Sequence, residues 1–251
     1  MGWLEFRLAM LAHLSRSWQL VRERGGTSPD LIEHVLENRP EGQGRVGLWI
    51  DRRFLQQPHW QALRSLHVQT KEILSSLARK RARHGLETFV VDLGCGSARY
   101  AWDLLDVSTR VSVLCLRRSP KEVELGRAIT GGRFGERLVF AIGDRCDPAS
   151  YLLRREPDVA VCLAPSAWFS KYHDLAVFCS LVFRSLSGGG LFLFGTFALC
   201  PRLTRPTSAP FNAEHFAAEL EEAGFRPVAT NTPTPASVLF EAWKSVRWSG
   251  W

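Results

Sequence analysis

The hydrophobic pattern divides the chain into two regions that meet near residue 85. From Phe89 onward, short and nearly unbroken apolar runs alternate with stretches of helical spacing. Unbroken runs are typical of strands covered on both faces, and their alternation with helices predicts βαβ crossovers and a parallel sheet. The predicted strands span 89–93, 111–116, 137–142, 158–163 and 190–196, and the predicted helices span 99–106, 119–130, 147–154 and 171–186.

The region before residue 85 has helical spacing without strand-like runs. Helices are predicted over residues 3–24, 29–37 and 59–83 from their apolar spacing and their Pro, Gly and Ser boundaries. The Pro and Gly content of residues 38–47 indicates a loop.

The pattern near the C-terminus predicts antiparallel strands at one edge of the parallel sheet. After a predicted helix over residues 212–225, the runs "RPVATNT" and "SVLFEAWKS" follow with no room for a helix between them. They predict an antiparallel hairpin. The expected fold is therefore α/β, a Rossmann-like sheet of parallel strands with an antiparallel C-terminal hairpin, preceded by a helical N-terminal cap. The expected domains are a cap or lid over residues 1–84 and a ligand-binding domain over residues 85–251.

Composition and charge exclude several functional classes. The formal charge of +7 comes mostly from scattered arginines, and no RNA-binding motif or zinc spacing accompanies it, so we expect no nucleic-acid partner. Charged residues interrupt the apolar N-terminus, so we expect no stable membrane insertion, although a basic helix there could touch an anionic membrane surface. None of the six cysteines forms a C-x-x-C pair, which favours reduced thiols and a cytoplasmic protein.

The stretch "VVDLGCGSARY" carries the strongest chemical signal. Asp92 ends a predicted strand, Gly94 and Gly96 allow a tight turn, and a helix begins soon after Ser97. Glycines let the backbone approach a ligand closely, and the N–H groups of the helix N-terminus face that ligand. The Asp92 carboxylate is placed to organise the turn or to hold a ligand's ammonium group.

The glycine turn distinguishes two ligand classes. A dinucleotide site has G-x-G-x-x-G or a final Ala, whereas the last position of that pattern is Arg99 here. A large charged side chain where the helix must touch the strand argues against NAD. An S-adenosylmethionine site has a D-x-G-x-G strand end, which this sequence contains.

The third predicted strand supports the same ligand. "LVFAIGDRCDP" ends at Gly143 and Asp144, and Asp144 is placed to accept a hydrogen bond from an adenine amino group. Asp147 is expected to cap the following helix.

From Phe89 onward the chain resembles a class I S-adenosylmethionine-dependent methyltransferase. The resemblance rests on the glycine turn, "SPKEVELGRA", the "GD" after strand three, "SLSGGGLFLFGTF" and "EEAGF". More closely, the chain is similar to a family of methyltransferases found alone or fused to α/β-hydrolase or phosphatidyltransferase domains. That likeness also covers "VLENRPEGQGRVGLWIDRRFL", "HWQALR", "ARY" and "VELGRA". It implies the fold and the cofactor, but it supplies no acceptor.

The resemblance implies an enzyme that transfers a methyl group from S-adenosylmethionine and releases S-adenosylhomocysteine. The domain over residues 85–251 would bind this cofactor. The expected cofactor-binding residues are Asp92, Gly94, Cys95, Gly96, Tyr100, Arg117, Arg118, Gly143, Asp144, Arg145 and Leu163.

One position departs from the family's pattern. Such families have an acid at the end of strand two that binds both ribose hydroxyls, and that position is Arg117 here. An arginine cannot accept a hydrogen bond, and the loss of the carboxylate would weaken binding about 10–100-fold. Three alternatives stay open: a phosphorylated or NADP-like ligand held by arginine, an outward Arg117 with Arg118 or Ser119 lining the ribose, and a fold that has lost or altered its cofactor use.

The acceptor pocket is expected at the carboxyl ends of the strands. The loops at residues 163–174 and 197–210 and the N-terminal segment would line it, and His173 beside Tyr172 is the candidate base or catalytic pair. Arg202 and Arg205 suggest a small-molecule acceptor that is anionic or lipid-related. No metal is expected, because no His/carboxylate cluster has ligand spacing, and the absence of a G-x-S-x-G motif excludes an α/β-hydrolase.

Overall fold

The computed structural model describes residues 13–245 except 27, 95, 96, 145, 166–171 and 198–211, and it describes the backbone alone at 165, 172–174 and 227. The helices are α1 (Arg16–Arg24), α2 (Pro29–Glu37), α3 (Gly44–Leu55), α4 (Pro58–Arg83), α5 (Trp102–Val107), α6 (Pro120–Thr130), α7 (Tyr172–Ser185) and α8 (Ala213–Glu222). The strands are β1 (Thr88–Asp92), β2 (Val111–Arg117), β3 (Leu138–Ile142), β4 (Val159–Pro165), β5 (Leu191–Phe197), β6 (Phe225–Thr234) and β7 (Ser237–Lys244).

The strands described form one 7-stranded sheet with the order β3-β2-β1-β4-β5-β7-β6. Strands β1 to β5 pair in parallel, and β7 pairs antiparallel with both β5 and β6. The predicted fold class, a parallel sheet with an antiparallel C-terminal hairpin behind N-terminal helices, is confirmed. The order reverses between β1 and β4, which places the crevice for a ligand at their carboxyl ends.

Three sequence predictions of local structure are wrong. The predicted helix over residues 147–154 is a short 3₁₀ turn, Pro148–Tyr151, which Asp147 caps by accepting from the Ala149 N–H (3.0 Å). The predicted helix over residues 3–24 is not helical at residues 13–15 and begins at Arg16 in the described part, because the Ser15 side chain caps it there; residues 3–12 lie outside the described residues. The loop predicted over residues 38–47 is shorter than expected, because α3 begins at Gly44 and its first four residues were predicted as loop.

Close packing explains why α3 tolerates a glycine inside the helix. A Cβ atom at Gly47 would lie 2.4 Å from the carbonyl oxygen of Leu14. The glycine that weakens helix propensity therefore lets the chain before α1 pass against α3, and tertiary packing outweighs the local signal.

Hydrophobic clusters cover both faces of the sheet. One cluster joins Leu31 of α2 and Leu63 of α4 to Val90 and Val113 of the sheet, and the other packs α7 and α8 against β4, β5 and β7. The boundary between a cap over residues 1–84 and a domain over 85–251 stays a prediction. In the described part of the chain, no helix combines the length and the apolar character needed to cross a membrane.

A buried carboxylate holds the first three helices together. Asp51 of α3 accepts hydrogen bonds from the Ser15 hydroxyl (2.6 Å), the Ser17 N–H (2.7 Å) and the Glu41 N–H (2.9 Å), and it pairs with His34 Nε2 at 3.1 Å. Burial alone would raise the pKa of Asp51, but the hydrogen bonds from His34, Ser15 and Ser17 outweigh burial and lower it well below its usual value. The charged carboxylate therefore links α1, α2 and α3.

Replacing Asp51 with alanine is expected to lower the free energy of unfolding by ~3–5 kcal/mol, because several buried donors and His34 lose their acceptor. Urea unfolding followed by circular dichroism measures the change. The matched control is Glu124→Ala on the exposed side of α6, for which we expect a change within about 0.5 kcal/mol. Equal effects of the two substitutions would contradict this role of Asp51.

Candidate functional site

The carboxyl ends of β1 and β2 meet around a buried ion pair. Arg117 Nη1 lies 2.8 Å from Asp92 Oδ1, and the two side chains are 3% and 1% exposed. The same carboxylate accepts from the Gly94 N–H (3.2 Å) and from the Tyr100 hydroxyl. Both oxygens of Asp92 therefore have donors from within the chain.

Arg117 is turned into the protein rather than toward solvent. Its Nη1 also donates to the Leu116 carbonyl (2.9 Å), and its guanidinium carbon lies 5.8 Å from the ring centroid of Phe140. Burial alone would lower the pKa of Arg117, but the charge of Asp92 outweighs burial and raises it. The guanidinium stays charged and lies against Asp92, at the start of the glycine turn.

The glycine turn is pressed against β4. A Cβ atom at Gly94 would lie 2.8 Å from both the backbone nitrogen and the carbonyl oxygen of Leu163. Ala98, just before the short helical turn at Arg99, has a φ of 55°, in the left-handed region that glycine adopts most readily. The structure thus brings Gly94, Tyr100 and Leu163 together, whereas Cys95 and Gly96 lie outside the described residues.

Glu33, which the sequence did not single out, contacts this turn from α2. Glu33 of α2 accepts from the Ser97 N–H (3.0 Å) and the Ser97 hydroxyl (2.7 Å), and its second oxygen lies 3.4 Å from Arg99 Nη1. The side chain of Glu33 is 8% exposed. The sequence does contain one signal for this contact, an acidic residue among the apolar residues of α2. Its partner Ser97 lies 64 positions away, so the sequence does not show what Glu33 binds.

An exposed ion pair lies at the ends of β2 and β3. Arg118 Nε lies 3.1 Å from Asp144 Oδ2, with side chains 62% and 40% exposed. The Asp144 carboxylate also accepts from the Cys146 N–H (2.9 Å). The Gly143 N–H donates to the Arg117 carbonyl (2.9 Å) and brings this corner beside the buried pair. Arg145 lies outside the described residues.

The acceptor side of the site is only partly described. Tyr172 and His173 begin α7, but their side chains lie outside the described structure, as do Arg202 and Arg205. Their predicted roles stay predictions. No group of three or more potential metal ligands occurs among the residues that the structure describes.

Three basic side chains of α4 are buried or partly buried in the fold. Arg64 donates to the carbonyls of Val35 (3.2 Å) and Leu55 (2.9 Å), which ties the ends of α2 and α3 to α4. His59 and His67 are buried in α4, and neither Nε2 has a hydrogen-bond partner in the described part of the chain. Burial lowers the pKa of His59 to about 4, and burial together with Arg99 lowers the pKa of His67 to about 3.

An open cavity of about 440 Å³ lies between α4 and α5. Three of its basic side chains already have acidic partners: Lys71 pairs with Asp103, Arg99 pairs with Glu33 and Glu37, and Arg133 pairs with Asp106. A fourth, Arg64, donates to the Val35 and Leu55 carbonyls. An anion would have to displace one of these partners, so the cavity offers no ready-made anion site.

The residues accommodate S-adenosylmethionine in part. The tight turn at Gly94 and the accessible Asp144 suit its amino-acid and adenine ends, since an exposed ion pair such as Arg118–Asp144 contributes little and can exchange partners. The expected ribose acid is missing, and each oxygen of the buried Asp92 carboxylate already accepts from Arg117, Gly94 or Tyr100. A ligand ammonium group therefore finds no oxygen on Asp92 that lacks a donor.

Comparison with known sequences identifies related proteins. Residues 2–204 match the sequence model of a family described as "Putative methyltransferase". "Uncharacterized protein YnbC" from Escherichia coli (strain K12) is 23% identical over 173 residues, which cover 68% of this chain and 30% of that protein. The chain thus matches less than a third of that relative's length.

Comparison with solved structures shows the fold. A "possible exported protein" from Bordetella parapertussis has a TM-score of 0.72 at 15% identity, covering 96% of this chain and 87% of that one. Magnesium protoporphyrin IX methyltransferase from Synechocystis PCC 6803, with bound S-adenosylmethionine, has a TM-score of 0.56 at 16% identity, covering 90% and 96%. An O-methyltransferase family protein from Burkholderia thailandensis has a TM-score of 0.54 at 12% identity, covering 92% and 69%.

The neighbouring arginines allow a matched test of the buried pair. Arg117→Met is expected to lower the free energy of unfolding by ~3–5 kcal/mol, because Asp92 is left as an unpaired buried charge. Arg118→Met breaks an exposed pair and is expected to cost less than about 1 kcal/mol. Urea unfolding measures the loss of unfolding free energy in both variants. A loss in Arg117→Met as small as that in Arg118→Met would refute the buried pair.

Acid stability tests the environment of His67. Because its folded pKa is about 3 and its unfolded value is about 6.5, the unfolded chain binds a proton in this window that the folded chain does not. Stability is therefore lost as the pH falls below 6.5, by about 2 kcal/mol at pH 5 from His67 alone. In urea unfolding at both pH values, His67→Gln should remove that part of the pH dependence, whereas His84→Gln at an exposed position should not. Identical pH profiles for the two variants would argue against a buried neutral His67.

Proposed function

Because the chain belongs to the family described as "Putative methyltransferase", we propose that it is an S-adenosylmethionine-dependent methyltransferase that acts on a small-molecule acceptor. The observation that carries the proposal is the tight turn after β1, where Gly94 approaches the Leu163 backbone of β4 at the point where the strand order reverses. Open α/β sheets bind their ligands at this point.

Each described residue of the proposed site has a distinct role. Asp92 and Arg117 shape the glycine turn from below, and Glu33 holds it through Ser97. Asp144 accepts from the adenine amino group after Arg118 exchanges its partner. Arg118 is then free to donate a hydrogen bond to a ribose hydroxyl, whereas an acid would accept a hydrogen bond from that hydroxyl.

The cofactor supplies a methyl group that is already activated by its sulfonium centre. The chain must then orient the acceptor for an in-line displacement and exclude water, which can provide much of the rate enhancement. We assign Tyr172 and His173, at the start of α7 beyond β4, to the acceptor side, with His173 as base where the acceptor must lose a proton. Arg202 and Arg205 would favour an anionic or lipid-related acceptor.

A second candidate is a methyltransferase-fold protein with altered or lost cofactor use, either with other chemistry or as a non-catalytic partner. The observation that favours it is the Asp92–Arg117 pair. In this pair, Arg117 takes the place that a ligand's ammonium group would have beside the Asp92 carboxylate. An NADP-like ligand is disfavoured, because Arg117 is buried and already paired and so does not reach a 2′-phosphate.

Titration calorimetry with S-adenosylmethionine and, separately, S-adenosylhomocysteine distinguishes the two candidates. We expect micromolar binding that Asp144→Ala weakens about tenfold or more, because a hydrogen bond to a charged acceptor contributes ~1.5–3 kcal/mol. Asp147→Ala is the matched control, since it removes a neighbouring exposed acid. Absence of binding for both ligands at millimolar concentration would reject the methyltransferase and favour the second candidate.

A further inference from the structure

The outward face of α3 carries apolar side chains that the protein leaves uncovered. Trp49 is 58% exposed, Val46 is 50% exposed and Leu48 is 38% exposed. The opposite face is buried through Asp51, Phe54 and Leu55. With about 3.6 residues per turn, Trp49 lies near the middle of the exposed arc, with Val46 and Leu48 toward its two edges.

Three arginines share this face with the tryptophan. Arg45, Arg52 and Arg53 are exposed, and the Arg53 guanidinium carbon lies 5.6 Å from the ring centroid of Trp49. Within the described residues, none of the three forms an ion pair with an acid, whereas Arg81, Arg99, Arg133 and Arg155 do so elsewhere. The face is therefore cationic, and its charge is uncompensated by the described chain.

From this combination we infer that the α3 face, defined as Arg45, Val46, Leu48, Trp49, Arg52 and Arg53, docks on an anionic phospholipid surface. Tryptophan favours the membrane–water interface, arginines close to it are attracted by acidic headgroups, and an amphipathic helix lies in the plane of that interface. Val46 and Leu48 favour lipid over a nucleic acid, because phosphates would leave both side chains in water. The inference goes beyond the proposed methyl transfer and does not depend on it.

Sedimentation with vesicles tests the docking of the full chain. The probes are phosphatidylcholine vesicles with and without ~30% phosphatidylglycerol, at low salt and at ~0.5 M NaCl, where charge attraction is screened. We expect binding to the anionic vesicles alone, and its weakening by salt. Arg52→Glu/Arg53→Glu should reduce the partition coefficient about 30-fold or more, because each basic residue near such a surface contributes ~1 kcal/mol. Trp49→Ser should reduce it several-fold.

Matched controls keep the test specific to this face. Arg79→Glu/Arg83→Glu makes the same charge change at the exposed end of α4, and Leu152→Ser removes an apolar side chain that is 85% exposed elsewhere. Both should bind like the unchanged protein. Equal loss in the α4 variant, or unchanged binding in both α3 variants, would overturn the assignment to α3. Binding to a single-stranded RNA oligomer that Arg52→Glu/Arg53→Glu abolishes, without vesicle binding, would replace the membrane with a nucleic acid.

Discussion

The buried pair of Asp92 and Arg117 is the interaction on which the rest of the site depends. Two full charges lie inside the protein at the ends of β1 and β2, and either one alone would cost several kcal/mol of desolvation. Together they satisfy each other and hold Gly94 and Tyr100 through Asp92. Because the Arg117 carbonyl also accepts from the Gly143 N–H at the end of β3, the corner that presents Asp144 is positioned by the same residue of β2.

A second buried carboxylate makes the N-terminal helices part of this arrangement. Glu33 reaches from α2 to the Ser97 N–H and hydroxyl, so the glycine turn is held from the sheet below and from a helix beside it. Asp51 in turn fixes α2 to α1 and α3 through His34 and Ser15. The N-terminal helices therefore contact the turn at Ser97, and a disturbance near Asp51 has a continuous path of contacts to the candidate site.

Periodicity in the sequence was sufficient to predict the parallel part of the sheet, because strands buried on both faces have nearly unbroken apolar runs that neighbouring residues alone reveal. The resemblance to a methyltransferase family, rather than periodicity, identified Arg117 as the departure from the expected acid. Neither could indicate that Arg117 turns inward, since that depends on Asp92, which lies 25 positions earlier. The role of Glu33 was missed because its partner Ser97 is distant in sequence. Helix α3 was missed because Gly47 reads as a loop residue, whereas the glycine is needed there for close packing against the backbone of Leu14, which lies outside α3.

The charges of the described site bear directly on the ligands that it can hold. Asp92 is neutralised by Arg117 and Asp144 by Arg118, so these four residues carry no net charge, whereas a site with an acid at position 117 would be strongly negative. A cationic ligand gains little long-range attraction here. Its binding must come from shape at the glycine turn and from exchange of the exposed Arg118–Asp144 pair, which is weak enough to open. The buried pair is too costly to separate, so a ligand that binds this crevice rearranges the rim and leaves the base of the turn intact.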